Sequence, residues 1–404
     1  MSDPVMTPGA SIEETDIAIL GGGCAGLALA RELARSAEGP RVIVIEPRDA
    51  YGNDRTWCFW APDTHPMVSP ATHTWTSWRL SGGGREIVHD TEKLPYRMVQ
   101  ASTYYSDALS IIQASPRVDL RRGTRVTRST VSAEGVLIET DKGAFHARYA
   151  IDTRPPPQER LAQSPLLQVF SGADVSFDRA VLSPGEAGLM RDLEGDREAP
   201  EAGVRFTYIL PYSDREGLVE TTRFVPSWIE PSTLDEALEA DLARISGSTG
   251  YKIQRRERAV LPMGLPPESP PDSGRLIRAG TAGGALRAST GYGFLAIQHW
   301  ASLCARRLYA GRPPLPPQPP PGPRAFLDAT FLRAVRARPD RAPGYLLATA
   351  GALRPVAFAR FMSDRATPGD WLRVMAALPK FPLAAAAAAE LLGLPQPRPK
   401  GGGA

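Results

Sequence analysis

Six residues, Gly21-Gly22-Gly23-Cys24-Ala25-Gly26, constrain this chain more than any other stretch. They follow a short apolar run, Asp16-Ile17-Ala18-Ile19-Leu20, and precede a helical pattern from Leu27 to Arg35. A second apolar run, Arg41 to Ile45, ends at Glu46. This is G-x-G-x-x-G inside a strand–helix–strand unit of about thirty residues, with an acid about 20 positions after the last glycine. Each part has a physical reason. Gly21 permits the tight turn, Gly23 lets the backbone approach a pyrophosphate, and Gly26 lets helix and strand pack closely. The helix N-terminus offers free N–H groups and a positive dipole end to phosphates, and Glu46 is placed to accept from a ribose hydroxyl. The N-terminal part is therefore expected to be a dinucleotide-binding α/β layer.

Two later pieces return toward the same place. One is the strand ending Tyr149-Ala-Ile-Asp152-Thr-Arg154; the other is Arg275-Leu-Ile-Arg-Ala279 followed by Gly280-Thr-Ala-Gly-Gly284. After Gly291-Tyr292-Gly293 a helix is expected from Phe294 to about Tyr309. Three such pieces in this order favour FAD over NAD. In FAD proteins of the hydroxylase and reductase type, a strand–Gly-Asp–helix element aims its dipole at the flavin. Here Thr281 stands at the aspartate position. The residues assigned to the cofactor are Gly21, Gly23, Gly26, Glu46, Arg55, Gly280, Thr281, Gly291 and Tyr292.

Composition bounds the rest. In 404 residues, 42% apolar and 23% charged side chains exclude a disordered protein. A formal charge of +3 gives no argument for nucleic acid. Three cysteines without a CxxC pair and five histidines without ligand spacing point to neither a disulfide framework nor a metal site. With no run of about 18 uncharged apolar residues, no membrane span is expected. The first fifteen residues lack the apolar run of a secretory signal, so a cytosol-facing chain is expected.

Along the chain, 16–75, 110–155 and 255–310 read as the cofactor domain, and 76–109 with 160–254 as an inserted β-sheet substrate domain. Within the latter, Arg205–Leu210 and Gly217–Phe224 flank turn residues and read as a hairpin. Residues 231–247 have the apolar spacing of an amphipathic helix. Residues 311–324 hold 8 prolines in 14 positions and read as an extended connector. A helical region, 325–395, follows, with breaks expected at Pro339, Pro355, Pro379 and Pro382.

The constellation resembles the lycopene β-cyclase family of flavoproteins over nearly the whole chain. The carrying pieces are the glycine loop with Glu46, Asn53-Asp-Arg-Thr-Trp57, Leu218-Val-Glu220-Thr-Thr-Arg-Phe224 and Glu257-Arg-Ala-Val-Leu-Pro-Met-Gly264. Arg278–Gly284, Ser289-Thr-Gly-Tyr292 and Phe361-Met-Ser-Asp364 complete them. The resemblance implies acid-catalysed, redox-neutral cyclisation of the linear ends of lycopene to β-ionone rings. It implies reduced FAD as cofactor, NAD(P)H as electron donor and Glu220 as the catalytic acid. The family often shows two adjacent acids before a threonine in the central strand. Here Thr221 follows Glu220, so the second carboxylate of that strand is absent. Glu257 reads instead as an ion-pair partner within Arg255-Arg256-Glu257-Arg258, and Cys24 and His299 as structural. An FAD-dependent monooxygenase, an isoprenoid reductase and a carotenoid- or flavin-binding protein without turnover are the alternative readings.

Eight aromatic residues lie within 49 positions: Trp57, Phe59, Trp60, Trp75, Trp78, Tyr96, Tyr104 and Tyr105. Two or three are expected to line a substrate tunnel, where ring faces stabilise a passing cation. Residues 324–404 carry 12 Lys/Arg against 5 Asp/Glu. A basic tail with apolar stretches suits peripheral contact with an anionic membrane, on its inner face. The number of rings closed, the exact carotenoid and the oligomeric state stay open.

Overall fold

A computed structural model describes residues 12–196, 203–267 and 274–397. Its cofactor layer is a seven-stranded sheet built on the strand Glu13–Leu20, which pairs in parallel with Val42–Ile45 and Gly143–Asp152. Val118–Arg121 and Leu276–Arg278 extend the parallel set, and Val126–Val131 and Val136–Thr140 complete an antiparallel meander. The four residues of Val42–Ile45 are all buried, as expected of a strand covered on both faces. Helices Cys24–Ala34, Ala101–Gln113 and Phe294–Tyr309 cover one face, with Leu27, Leu29, Ile112 and Trp300 in their shared core.

The second seven-stranded sheet has the order Tyr251–Met263, Leu166–Phe177, Glu216–Val225, Gly203–Pro211, Glu186–Asp196, Ser77–Gly82, Arg85–Asp90. All neighbours are antiparallel except Glu186–Asp196 with Ser77–Gly82. The expected hairpin is its centre. Helix Asp235–Ser246 packs Leu238 and Leu242 against one face of this sheet. A small sheet of Thr56–Trp60, Tyr96–Gln100 and His73–Trp75 lies between the two layers in sequence.

Three expected boundaries move. Residues 255–263 continue the edge strand of the substrate sheet, because the thirteen-residue strand Tyr251–Met263 pairs along the length of Leu166–Phe177. The cofactor layer resumes only at Leu276–Arg278. Helix Ala101–Gln113, which the expected boundary at 109 divides, packs into the cofactor core through Tyr104, Tyr105 and Ala108. The proline-rich connector ends earlier, since helix Gly322–Ala337 starts at 322 with proline in its first turn.

The C-terminal region continues with helices Ala342–Gly351, Pro355–Met362, Pro368–Ala377 and Lys380–Leu391. Pro339 starts a single 3₁₀ turn, Pro355 opens a helix and Pro379 is an N-cap. Pro382 breaks nothing. It occupies the first turn of Lys380–Leu391, where no N–H has an intrahelical partner to lose.

Candidate active site

The glycine loop is built as its spacing requires. Gly21 sits at φ +99°, and a Cβ on Gly26 would lie 1.9 Å from the Gly21 carbonyl oxygen. Over Gly23 there is open space, with no atom within 4 Å of an added Cβ. Helix Cys24–Ala34 begins without a side-chain cap and without an acid in its first turn. Its N–H groups are therefore free for an anion. Glu46 is buried at its strand end, accepting from the Gly22 N–H at 2.7 Å and from the Arg48 N–H and Nε at 2.9 and 2.8 Å. Thr153 Oγ1 donates to the Gly21 carbonyl at 2.8 Å, tying the third strand to the loop. An open cradle, an uncapped helix start and a fixed acid fit a dinucleotide.

A cavity of about 900 Å³ runs from this loop into the substrate sheet. Its walls include Gly21, Gly23, Glu46, Arg55, Gly280, Thr281, Gly291 and Tyr292, together with Glu220. Gly26 is not a wall residue, in keeping with its packing role. Arg55 is exposed, and its guanidinium donates to the Asp54 carbonyl at 2.7 Å. Gly280, at φ +64°, lies against Ala25, and Gly291 is also left-handed. Arg48, which no motif marks, and Arg154, at the end of the returning strand, line the same space. Arg154 is anchored by the fully buried Asp152 at 2.7 Å, and Arg278 binds the same carboxylate.

Glu220 stands in a row of residues that crosses the substrate sheet. In register, Glu257 faces Gly172, Gly172 faces Glu220, and Glu220 faces Tyr208. Because Gly172 has no side chain, the two glutamates meet over it. Their carboxyls are hydrogen bonded, and a Cβ at 172 would lie 2.6 Å from Glu220 Cγ. Both glutamates are buried. Burial, and then the adjacent Glu257 carboxyl, hold the Glu220 proton well above the usual carboxylate range. Glu257 Oε2 accepts from Thr56 Oγ1 at 3.0 Å and from the Arg255 guanidinium. Arg255 is held in turn by Asp174 at 2.7 Å and the Asn53 carbonyl at 3.1 Å.

The sequence leaves open whether a second carboxylate stands beside Glu220; the structure supplies one from another strand. Glu257 does pair with Arg255, as its sequence neighbourhood suggested, yet it is also the second acid beside Glu220. The residue after Glu220 has no bearing on the pair. Strand alternation turns Thr221 to the other face, where its Oγ1 donates to Asp241 at 2.5 Å. Arg205, on the neighbouring strand, donates to Asp241 at 2.8 Å from that same face.

Beyond Glu220 the row continues in hydroxyl groups. Tyr208 and Tyr96 share a hydrogen bond of 2.6 Å, and Tyr96 and Tyr292 one of 2.7 Å. The Tyr292 hydroxyl is thus held on the acid side of the cavity. Burial pushes the nearby Cys58 thiol up to about 12, and does the same to Cys24 in the glycine loop, so both stay protonated and inert. Of the eight clustered aromatics, Trp57, Tyr96 and Tyr105 line the cavity, and the other five pack away from it. The substrate sheet adds Phe170, Phe206 and Phe224, which no local signal in the sequence marked. His299 lies exposed on its helix, away from the site.

Comparison with known proteins places the fold and the family. Among solved structures, the chain resembles a geranylgeranyl bacteriochlorophyll reductase-like protein of Thermoplasma acidophilum, with a TM-score of 0.60 and 14% identity. That match covers 95% of this chain and 100% of the other. A flavin-dependent monooxygenase, PieE, solved with FAD and substrate, matches with a TM-score of 0.57 and 15% identity over 94% of this chain and 72% of its own. The fold is therefore that of FAD-dependent monooxygenases and reductases: a Rossmann-like cofactor layer, an inserted β-sheet and a helical C-terminal region. Lycopene β-cyclases of Paracoccus sp. (strain N81106 / MBIC 01143) and Pantoea ananas are 26% and 25% identical over 257 and 266 residues. Each match takes in 62% of this chain, and 61% and 63% of those proteins' own lengths. The family model for lycopene cyclase protein matches residues 16–388, and the chain belongs to that family.

Proposed function

We propose that the protein is a lycopene β-cyclase that binds FAD and closes the linear ends of a carotenoid into β-ionone rings without net redox change. One observation carries the reading: two hydrogen-bonded, buried carboxyls face a largely apolar cavity that is continuous with the dinucleotide loop. Protonating an alkene demands an acid that still carries its proton at the working pH, in a site shielded from water that would quench the cation. Glu220 meets the first demand by keeping its proton in a buried site. Leu218, Phe206 and Phe224, which wall the cavity near it, meet the second. Trp57 and Tyr96, aromatic residues of the cavity wall, would help to stabilise positive charge.

The glycine loop, the uncapped helix start, Glu46, Arg48 and Thr281 would hold the cofactor. Reduced by NAD(P)H or another donor, it would supply negative charge near the reacting carbons. A peripheral site on the inner face of a membrane suits a lipid-dissolved substrate. Among the described residues no single helix is long and apolar enough to cross a membrane. Helices Pro368–Ala377 and Lys380–Leu391, bent by 118°, instead expose Leu372, Phe381, Leu391 and Leu392. Trp371, Val374 and Leu383 of the same helices wall the cavity.

The test is anaerobic incubation of the holoprotein with lycopene and chemically reduced FAD in D₂O. Cyclisation gives one deuterium per new ring and needs no oxygen. A reductase would add two hydrogens, a monooxygenase would stay idle, and a binding protein would leave lycopene intact. Unchanged lycopene refutes the proposal.

A further inference from the structure

The position of Glu257 assigns it a role of its own, and this inference rests on the cyclase reading above. We propose that Glu257 is the base of the reaction, and that it returns the proton it takes to Glu220, so that each ring closure leaves the pair as it began. The balance runs through the two carboxyls alone. The Glu220 O–H breaks as a C–H bond forms at the terminal alkene carbon, leaving a tertiary cation beside it. The internal double bond supplies its electron pair to the ring-closing C–C bond and moves the cation to the neighbouring ring carbon. The Glu257 carboxylate removes a proton next to that cation, and the C–H pair becomes the ring double bond. That proton then crosses to Glu220, and the pair exchanges with solvent once the product leaves, so the next closure adds a solvent proton. Nothing is oxidised or reduced.

Four features of the structure carry the assignment. The glutamates share one row of the sheet and one glycine gap, so their carboxyls exchange a proton without rearrangement. Both wall the cavity, so both reach the same bound end group. The donors are unevenly shared: Thr56 and Arg255 both end on Glu257 Oε2, which favours the negative charge there and leaves the proton on Glu220. Arg255 is in turn fixed by Asp174 and the Asn53 carbonyl, so its charge stays on the Glu257 side. Tyr208, Tyr292 and Cys58 face the pair from the neighbouring elements, and burial holds all three protonated at neutral pH.

Glu257→Gln in the full-length holoprotein is the test, read by rate and product identity. The expected variant binds FAD and melts like the wild type, cyclises at least 100-fold more slowly, and yields rings whose double bond has shifted. Loss of the base frees the cation to shed a proton elsewhere, which a merely structural ion pair would not affect. Glu257→Asp keeps the charge but withdraws it by one methylene. It should be at least tenfold slower, and it decides the matter if the glutamine variant does not fold. A folded Glu257→Gln or Glu257→Asp protein that forms only β rings at the wild-type rate overturns the assignment. Wild-type protein inert toward lycopene overturns the cyclase reading itself and the assignment with it.

Discussion

Gly172 offers the sharpest single perturbation of the acid pair. An added methyl group would sit 2.6 Å from Glu220 Cγ and 3.2 Å from Oε1. Unstrained carbon contacts lie at about 3.5–4.0 Å, so the glutamate must retreat by about 1 Å. The backbone cannot give way easily, because residue 172 is paired on both sides, to Glu220 and to Glu257. Overpacking of this kind costs about 1–3 kcal/mol, which should lower the melting temperature by a few degrees. Pushing Glu220 out of reach of Glu257 should slow turnover by roughly ten- to a hundredfold, or about 1.4–2.7 kcal/mol of barrier. Gly344→Ala is the matched control. Gly344 lies in helix Ala342–Gly351 with no atom within 4 Å of an added Cβ, so the change should be neutral or stabilise by up to about 1 kcal/mol. Rates come from initial formation of cyclic carotenoid, and stabilities from thermal melts of the holoprotein. A Gly172→Ala protein with wild-type rate and melting temperature would refute the argument that this glycine exists to let two carboxyls meet.

Three further outcomes are expected. Gly26→Ala would place a methyl group 1.9 Å from the Gly21 carbonyl oxygen, so the variant should purify with little flavin, measured by absorbance per chain. Glu220→Gln should melt higher than the wild type at pH 8. The native state keeps the Glu220 proton above pH 4.5, where the unfolded chain releases it, so wild-type stability falls as pH rises; the gap should close as pH is lowered to about 4.5, and melts across that range check it. Replacing Leu372, Phe381 and Leu392 together by serine removes side chains worth about 1.5–3 kcal/mol each when fully buried. Sedimentation with anionic vesicles should show at least a hundredfold weaker binding, while activity on detergent-dissolved carotenoid persists.

How much of this was legible in the sequence depended on distance along the chain. The glycine loop and Glu46 lie within 26 residues and follow local rules of turn and helix, so their reading needed no knowledge of the rest. Glu220 was found through a resemblance, and its burial is a property of the assembled sheet. Glu257 was read as one charge in a basic run, and its meeting with Glu220 depended on a third strand from elsewhere. Leu166–Phe177 enters between their strands, and only its register puts a glycine where the carboxyls must pass. No periodicity reports that. The neighbouring Thr221 misled for the opposite reason. Adjacency in sequence suggested adjacency in the site, whereas a strand sends consecutive side chains to opposite faces. Pro382 was read as a helix break because composition does not distinguish a helix interior from its first turn.

Strand Tyr251–Met263 is the outermost of its sheet, and its row of charges has a consequence for durability. Arg255 grips Asp174 on the cavity face, while Arg256 and Arg258 grip Glu239 and Asp235 of the helix behind. The run that looked like one basic cluster is thus a set of staples working in two directions. It also blunts an edge that would otherwise invite pairing with another chain. Staples made of partly exposed ion pairs loosen with salt. High ionic strength or mild heating should therefore free this margin first and carry Glu257 away with it. Such a protein would lose turnover while its flavin and most of its backbone structure stayed in place, and cooling or desalting would restore it.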